Sequence, residues 1–87
     1  MTKHSVLVEA KAQKQFRKVP KADQERILNT LGILQEEGFS TRLDIKKLKG
    51  FQRHYRIRVG NYRIRFELSV DQTIVVYSVS PREKAYE

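Results

Sequence analysis

The chain has 87 residues, no cysteine and a formal net charge of +8. So short a chain supports one domain (1–87) with one modest core, so a site on it is expected to be a shallow groove suited to a polymer, not an enclosed small-molecule pocket. Disulfides and thiolate metal sites are excluded, His4 and His54 lie too far apart in sequence to suggest a metal, and no apolar run approaches the ~18 residues of a membrane span or a signal peptide, so a cytoplasmic protein without metal, cofactor or membrane is expected.

In chain order, the apolar run Ser5-Val6-Leu7-Val8 reads as a first strand. Glu9 to Lys18 has helical character, with Ala12, Phe16 and Val19 on one side, and Pro20 ends it or starts the next helix. Lys21 to Glu37 is the clearest helix, its stripe formed by Ile27, Leu28, Leu31 and Leu34. Gly38 stands where a helix C-terminal glycine is expected. Residues 39–50 have a looser pattern and read as a loop tethered by Leu43, Ile45 and Leu48. The period then changes to two. Tyr55, Ile57 and Val59 alternate with His54, Arg56 and Arg58, Gly60-Asn61 is a two-residue turn signal, and Tyr62, Ile64, Phe66 and Leu68 alternate with Arg63, Arg65 and Glu67. After a turn at Asp71-Gln72, residues 73–79 form a last, near-continuously apolar strand of central character, ended by Ser80-Pro81. The order β-α-α-β-β-β predicts an α+β fold, with a helical hairpin packed on one face of a small antiparallel sheet.

Charge is unevenly spread. Residues 1–41 carry seven basic and five acidic residues, whereas residues 42–65 carry nine basic residues against Asp44 alone, a net +8 in 24 residues. Basic clusters of this kind displace condensed counterions from phosphates, so nucleic acid is the expected partner. If Gly60-Asn61 closes a hairpin, opposite residues sum to 121. Arg58 then faces Arg63, Arg56 faces Arg65 and His54 faces Glu67, all on the face away from the apolar residues. Like charges directly across a strand pair cost about 0.2–1 kcal/mol each. Either the arginines splay into water or pair with acids elsewhere, or they are left without counter-charges because an anion is their partner. The second alternative is preferred, because the planar guanidinium suits phosphate.

Four segments in register resemble the RelE/ParE toxin superfamily: Lys47-Leu48-Lys49-Gly50, Tyr55-Arg56-Ile57-Arg58, Asn61-Tyr62-Arg63-Ile64 and the tail Ser80-Pro81-Arg82-Glu83-Lys84-Ala85-Tyr86, which is similar to the ending of the RelE branch. The resemblance implies the toxin of a type II toxin–antitoxin pair with a RelB-like antitoxin as partner. It further implies a ribosome-dependent endoribonuclease, in which the 2′-hydroxyl of A-site mRNA attacks the adjacent phosphate. On the same resemblance Arg56, Arg58, Arg63, Arg82 and Tyr86 occupy catalytic positions, and Lys46, Lys47, Lys49, Arg53 and Arg65 are expected to bind RNA phosphates. Some relatives carry lysine where Arg56 and Arg58 stand, or histidine where Pro81 stands, and arginine does not give up its proton. A general base must then come from elsewhere. His54 with Glu67 could form an acid/base unit or a simple surface ion pair, and Tyr86 is the other candidate. Two further readings share the fold: a ParE-like inhibitor of DNA gyrase and an inactive RNA-binding relative.

Overall fold

The computed structural model describes residues 4–50 and 52–81. β1 (Val6–Val8) leads into α1 (Ala10–Arg17) and α2 (Lys21–Glu37), followed by β2 (Asp44–Lys47), β3 (His54–Val59), β4 (Tyr62–Leu68) and β5 (Ile74–Pro81). The five strands form one sheet in the order β1-β5-β4-β3-β2. Each neighbouring pair from β2 to β5 is antiparallel, while β1 lies parallel to β5. The α+β class and the helical hairpin against one sheet face are as the sequence predicts.

The helices stop where local chemistry says they should. α2 begins immediately after Pro20, whose fixed φ suits a helix entry. It ends at Gly38, where φ is 71° and ψ is −139°, a conformation essentially reserved for glycine; the Gly38 N–H donates to the Leu34 carbonyl. The β3–β4 hairpin has the predicted register, from Val59 opposite Tyr62 to His54 opposite Glu67. Gly60 takes φ 58° while Asn61 stays at negative φ, the pattern of a type II′ turn.

The core lies between the hairpin and the sheet. Ile57, Ile64, Phe66 and Ile74 from the sheet and Ala12, Ile27 and Leu34 from the helices are essentially inaccessible. Phe66 stacks on Tyr55 with ring centroids 5.5 Å apart, and Phe39 packs edge-on against both rings. This aromatic cluster anchors the segment that follows α2.

Two expectations need correction. Residues 39–50 are not only a loop, because Asp44–Lys47 pair with β3 as an edge strand. Its sequence holds one apolar residue, Ile45, among three charges, which is how an exposed edge is protected from further pairing, and it leaves no readable alternation. Leu28, placed in the buried stripe, is 57% exposed, and Ile27 and Leu34 carry that stripe inward instead.

Candidate nucleic-acid interface

Strand pairing arranges the polar sheet face in rows that cross the strands. One row runs Lys46, Arg56, Arg65, Ser78 from β2 to β5, and the next runs Asp44, Arg58, Arg63, Ser80. Neighbouring strands lie about 4.8 Å apart, so each row holds its cations at close, fixed intervals. The arginine constellation therefore exists, but it is not the uniformly exposed array expected. Arg58 is exposed, Arg65 is half-buried, and Arg56 and Arg63 are only 6% and 7% accessible.

A buried cation requires a partner. For Arg56 that partner is Asp44, whose carboxylate Oδ1 and main-chain carbonyl each lie 3.3 Å from Nη1. The expectation of arginines without counter-charges fails at this residue. Asp44 is the one acid of the basic stretch, but its segment reads as loop, so spacing alone does not pair it with Arg56. The acid does not exhaust the guanidinium, since Arg56 Nε is buried with no hydrogen-bond partner among the described residues. Arg53, expected among the phosphate-binding residues, is turned to a structural task. Its Nε and Nη2 donate to the carbonyls of Leu68 and Ser69, both at 2.6 Å, from a backbone at φ 64°.

At the far end of β3 the register places His54 opposite Glu67, with Nε2 and Oε2 3.9 Å apart. A third group joins them. Val76 pairs with Phe66 and Ser78 with Arg65, so Tyr77 between them is the extra residue of a β-bulge. The bulge switches β5's parity: Ile74 and Val76 face the core, as does Val79, three residues on from Val76 instead of two. Tyr77 is delivered to the polar face, where its hydroxyl lies 3.0 Å from His54 Nδ1 and its ring meets the imidazole edge-on. Burial pushes the Tyr77 phenol up from its ordinary value; Arg65 offsets part of that rise and Glu67 adds to it. A phenol kept protonated can donate to Nδ1, an arrangement that would put the imidazole proton on Nε2, facing Glu67.

These side chains surround a groove of about 630 Å³. Five cations line it (Lys46, Lys47, Lys49, Arg56 and Arg65) together with Leu48, His54 and Tyr77. Arg58 and Arg63 stand outside it, one row nearer the β3–β4 turn. The structure thus brings most of the expected phosphate-binding residues to one groove, beside the expected acid/base pair. Tyr77 and Asp44 are the members that the sequence did not reveal. Arg82 and Tyr86 lie outside the described residues. Among those described, no group of three or more histidine, aspartate or glutamate side chains is placed to hold a metal ion.

Comparison with known proteins matches residues 6–86 to the family described as the ParE toxin of type II toxin–antitoxin systems, parDE. Toxin RelE3 of Methanocaldococcus jannaschii is 52% identical over 46 residues, which is 53% of this chain and about half (51%) of that protein's length. Among solved structures, a chain in the RelB–RelE antitoxin–toxin complex of Methanococcus jannaschii superposes with a TM-score of 0.80 at 37% identity, over 90% of this chain and 92% of that one. A chain in the archaeal RelE–RelB complex of Pyrococcus horikoshii OT3 superposes with a TM-score of 0.82 at 28% identity, over 97% of this chain and 100% of that one.

Proposed function

The chain belongs to the ParE toxin family of type II toxin–antitoxin systems, and from that premise we propose that it is a RelE-like toxin that cuts messenger RNA on the ribosome. The observation that carries this reading is the basic groove, where five cations converge on a rigid sheet with one buried guanidinium nitrogen still to be satisfied. Such a surface grips a phosphodiester and stabilises the extra negative charge that a five-coordinate phosphorus carries. In the step itself the substrate's 2′-oxygen bonds to the adjacent phosphorus as its proton leaves. The bond from phosphorus to the 5′-oxygen breaks, and that oxygen is protonated, giving a 2′,3′-cyclic phosphate and a 5′-hydroxyl end. Arg56, Arg58, Arg63 and Arg82 serve the phosphate, and none of them can serve as the base. His54, oriented between Glu67 and Tyr77, is the group in the groove suited to proton transfer, with Tyr86 the candidate in the tail. A ribosome supplies what a shallow face lacks: an RNA backbone held in line for attack.

The same reading supplies a protein partner, a RelB-like antitoxin, as in the complexes of the archaeal relatives. On the helical side, an apolar groove of about 910 Å³ runs along β1, α1 and α2, and leaves Leu7 59% and Leu28 57% exposed. An amphipathic antitoxin segment fits that groove, and an acidic one complements the arginine face.

The test is to map RNA and DNA ends after brief induction of the chain in cells. New 5′-hydroxyl RNA ends within translated codons are expected, lost in Arg82→Ala and strongly reduced in Arg58→Ala while both variants stay folded. DNA breaks with an SOS response, and intact messages, would instead identify a ParE-like gyrase inhibitor; salt-dependent RNA binding without cleavage would identify an inactive relative.

A further inference from the structure

We propose that Tyr77, at the β-bulge of β5, forms a nucleobase subsite in the basic groove, in which an unpaired base of the RNA stacks on the Tyr77 ring while the flanking phosphates sit on Arg56, Arg65 and Lys46. This deepens the RNA-cleavage reading and rests on it. The groove's cations account for phosphate recognition, and among the described lining residues Tyr77 and His54 carry rings on which a base can stack, Tyr77 the larger. The bulge sets two successive residues, Tyr77 and Ser78, on the polar face, and Tyr77 is a half-buried aromatic among charges there. Val76 and Val79 fill the interior on either side, and Tyr77 does not belong to the buried cluster. The hydroxyl's contact with His54 and the edge-on imidazole fix the ring's orientation. A ring already held loses little freedom when a base packs on it. Arg56, nearly fully buried with its Nε unsatisfied, stands in the same groove to take a phosphate oxygen.

Binding can be separated from cleavage with a single-stranded hexadeoxynucleotide, which has no 2′-hydroxyl to attack. Its partner probe is a hexamer of abasic deoxyribose phosphates carrying the same charge. The wild-type protein should bind the base-bearing hexamer about five- to hundredfold more tightly than the abasic one, the range expected when one base stacks on an aromatic side chain. Tyr77→Leu should erase most of that preference and leave abasic binding and its salt dependence intact, while Tyr77→Phe, which keeps the ring, should retain it. Equal wild-type affinity for the two hexamers overturns the subsite without use of any variant. A preference that survives Tyr77→Leu in a folded protein also overturns it. Failure of the wild type to bind either hexamer removes both the subsite and the nucleic-acid reading, whereas binding of both without discrimination removes the subsite alone.

Discussion

Replacing Asp44 by asparagine takes one negative charge away from Arg56 and keeps the main-chain carbonyl that shares the same guanidinium nitrogen. Two effects of opposite sign follow. Breaking a fully buried ion pair typically costs about 3–5 kcal/mol. Here the arginine side chain is 7% exposed but the aspartate 59%, so water already screens the acid's end of the pair. The asparagine oxygen can also accept from Nη1. The expected loss of stability is therefore about 1 kcal/mol, nearer the figure for an exposed pair, or roughly 1 M or less in a urea midpoint for a chain of this size. RNA binding should move the other way. Removing Asp44's competing charge leaves the phosphate on Arg56 a full cation to neutralise it, and steepens the dependence of log affinity on log salt by about 0.7 for a single strand. Between 200 and 50 mM salt the variant should then gain about two- to threefold more affinity than the wild type. Urea melts and salt titrations of a non-cleavable single strand measure the two effects separately. Weaker binding, or an unchanged salt slope, would show that Asp44 serves only to fold the sheet edge and that Arg56 does not reach phosphate.

Phe66→Ala removes a fully buried ring that touches both Tyr55 and Phe39, for an expected loss of about 3–5 kcal/mol; against roughly 4–13 kcal/mol for 87 residues, a urea or thermal melt should show at least about a quarter of the stability gone. Arg53→Ala forfeits two charge-assisted bonds to the Leu68 and Ser69 carbonyls, so stability should fall by about 1.5–3 kcal/mol, while RNA cleavage per folded molecule, measured well below the melting temperature, stays within a few-fold of wild type. Burial raises the Tyr77 phenol, so the native state keeps that proton where the unfolded chain has lost it. Stability should then decline as pH rises from about 10, the ordinary phenol value, through the raised one. Tyr77→Phe should escape that part of the decline, and a constant difference between the two proteins' urea midpoints from neutral pH into this range would contradict the assignment.

Much of this fold can be read from residue spacing alone. The β3–β4 register follows from one turn signal, because alternation of Ile57, Val59, Tyr62 and Ile64 with arginine tolerates no slip: a shift by one residue would bury every guanidinium. α2 is legible at both ends because Pro20 and Gly38 bracket it. What escaped were features set by tertiary context. β2 has too little alternation to announce itself, and with it Asp44 was lost as the counter-charge of Arg56. Arg53 counts as a phosphate ligand by charge, and only the turn geometry shows its donors aimed at carbonyls. The bulge at Tyr77 was hidden in a continuous apolar run, where period-two parity cannot be followed. Its trace was the three-residue step between Val76 and Val79.

The placement of Asp44 bears on why so basic a face can fold at all. Lys46, Arg56 and Arg65 are direct cross-strand neighbours, as are Arg58 and Arg63, so three like-charged contacts of about 0.2–1 kcal/mol each act against the sheet. Asp44 lies opposite Arg58 in the register yet directs its carboxylate to Arg56 in the adjacent row. That diagonal choice serves the cation which is nearly sealed from water, and it leaves exposed Arg58 to the solvent, where screening is strongest. An anion that occupies the groove meets a guanidinium whose only described carboxylate partner is a half-open one at the sheet edge, and can share it without first breaking a closed pair. Ligand and fold are then linked through a single side chain: whatever binds this groove as a polyanion also relieves the repulsion within the row, and stabilises the native state as it does so. An acidic antitoxin segment and an RNA backbone would compete for that same relief, and occupancy by either would exclude the other.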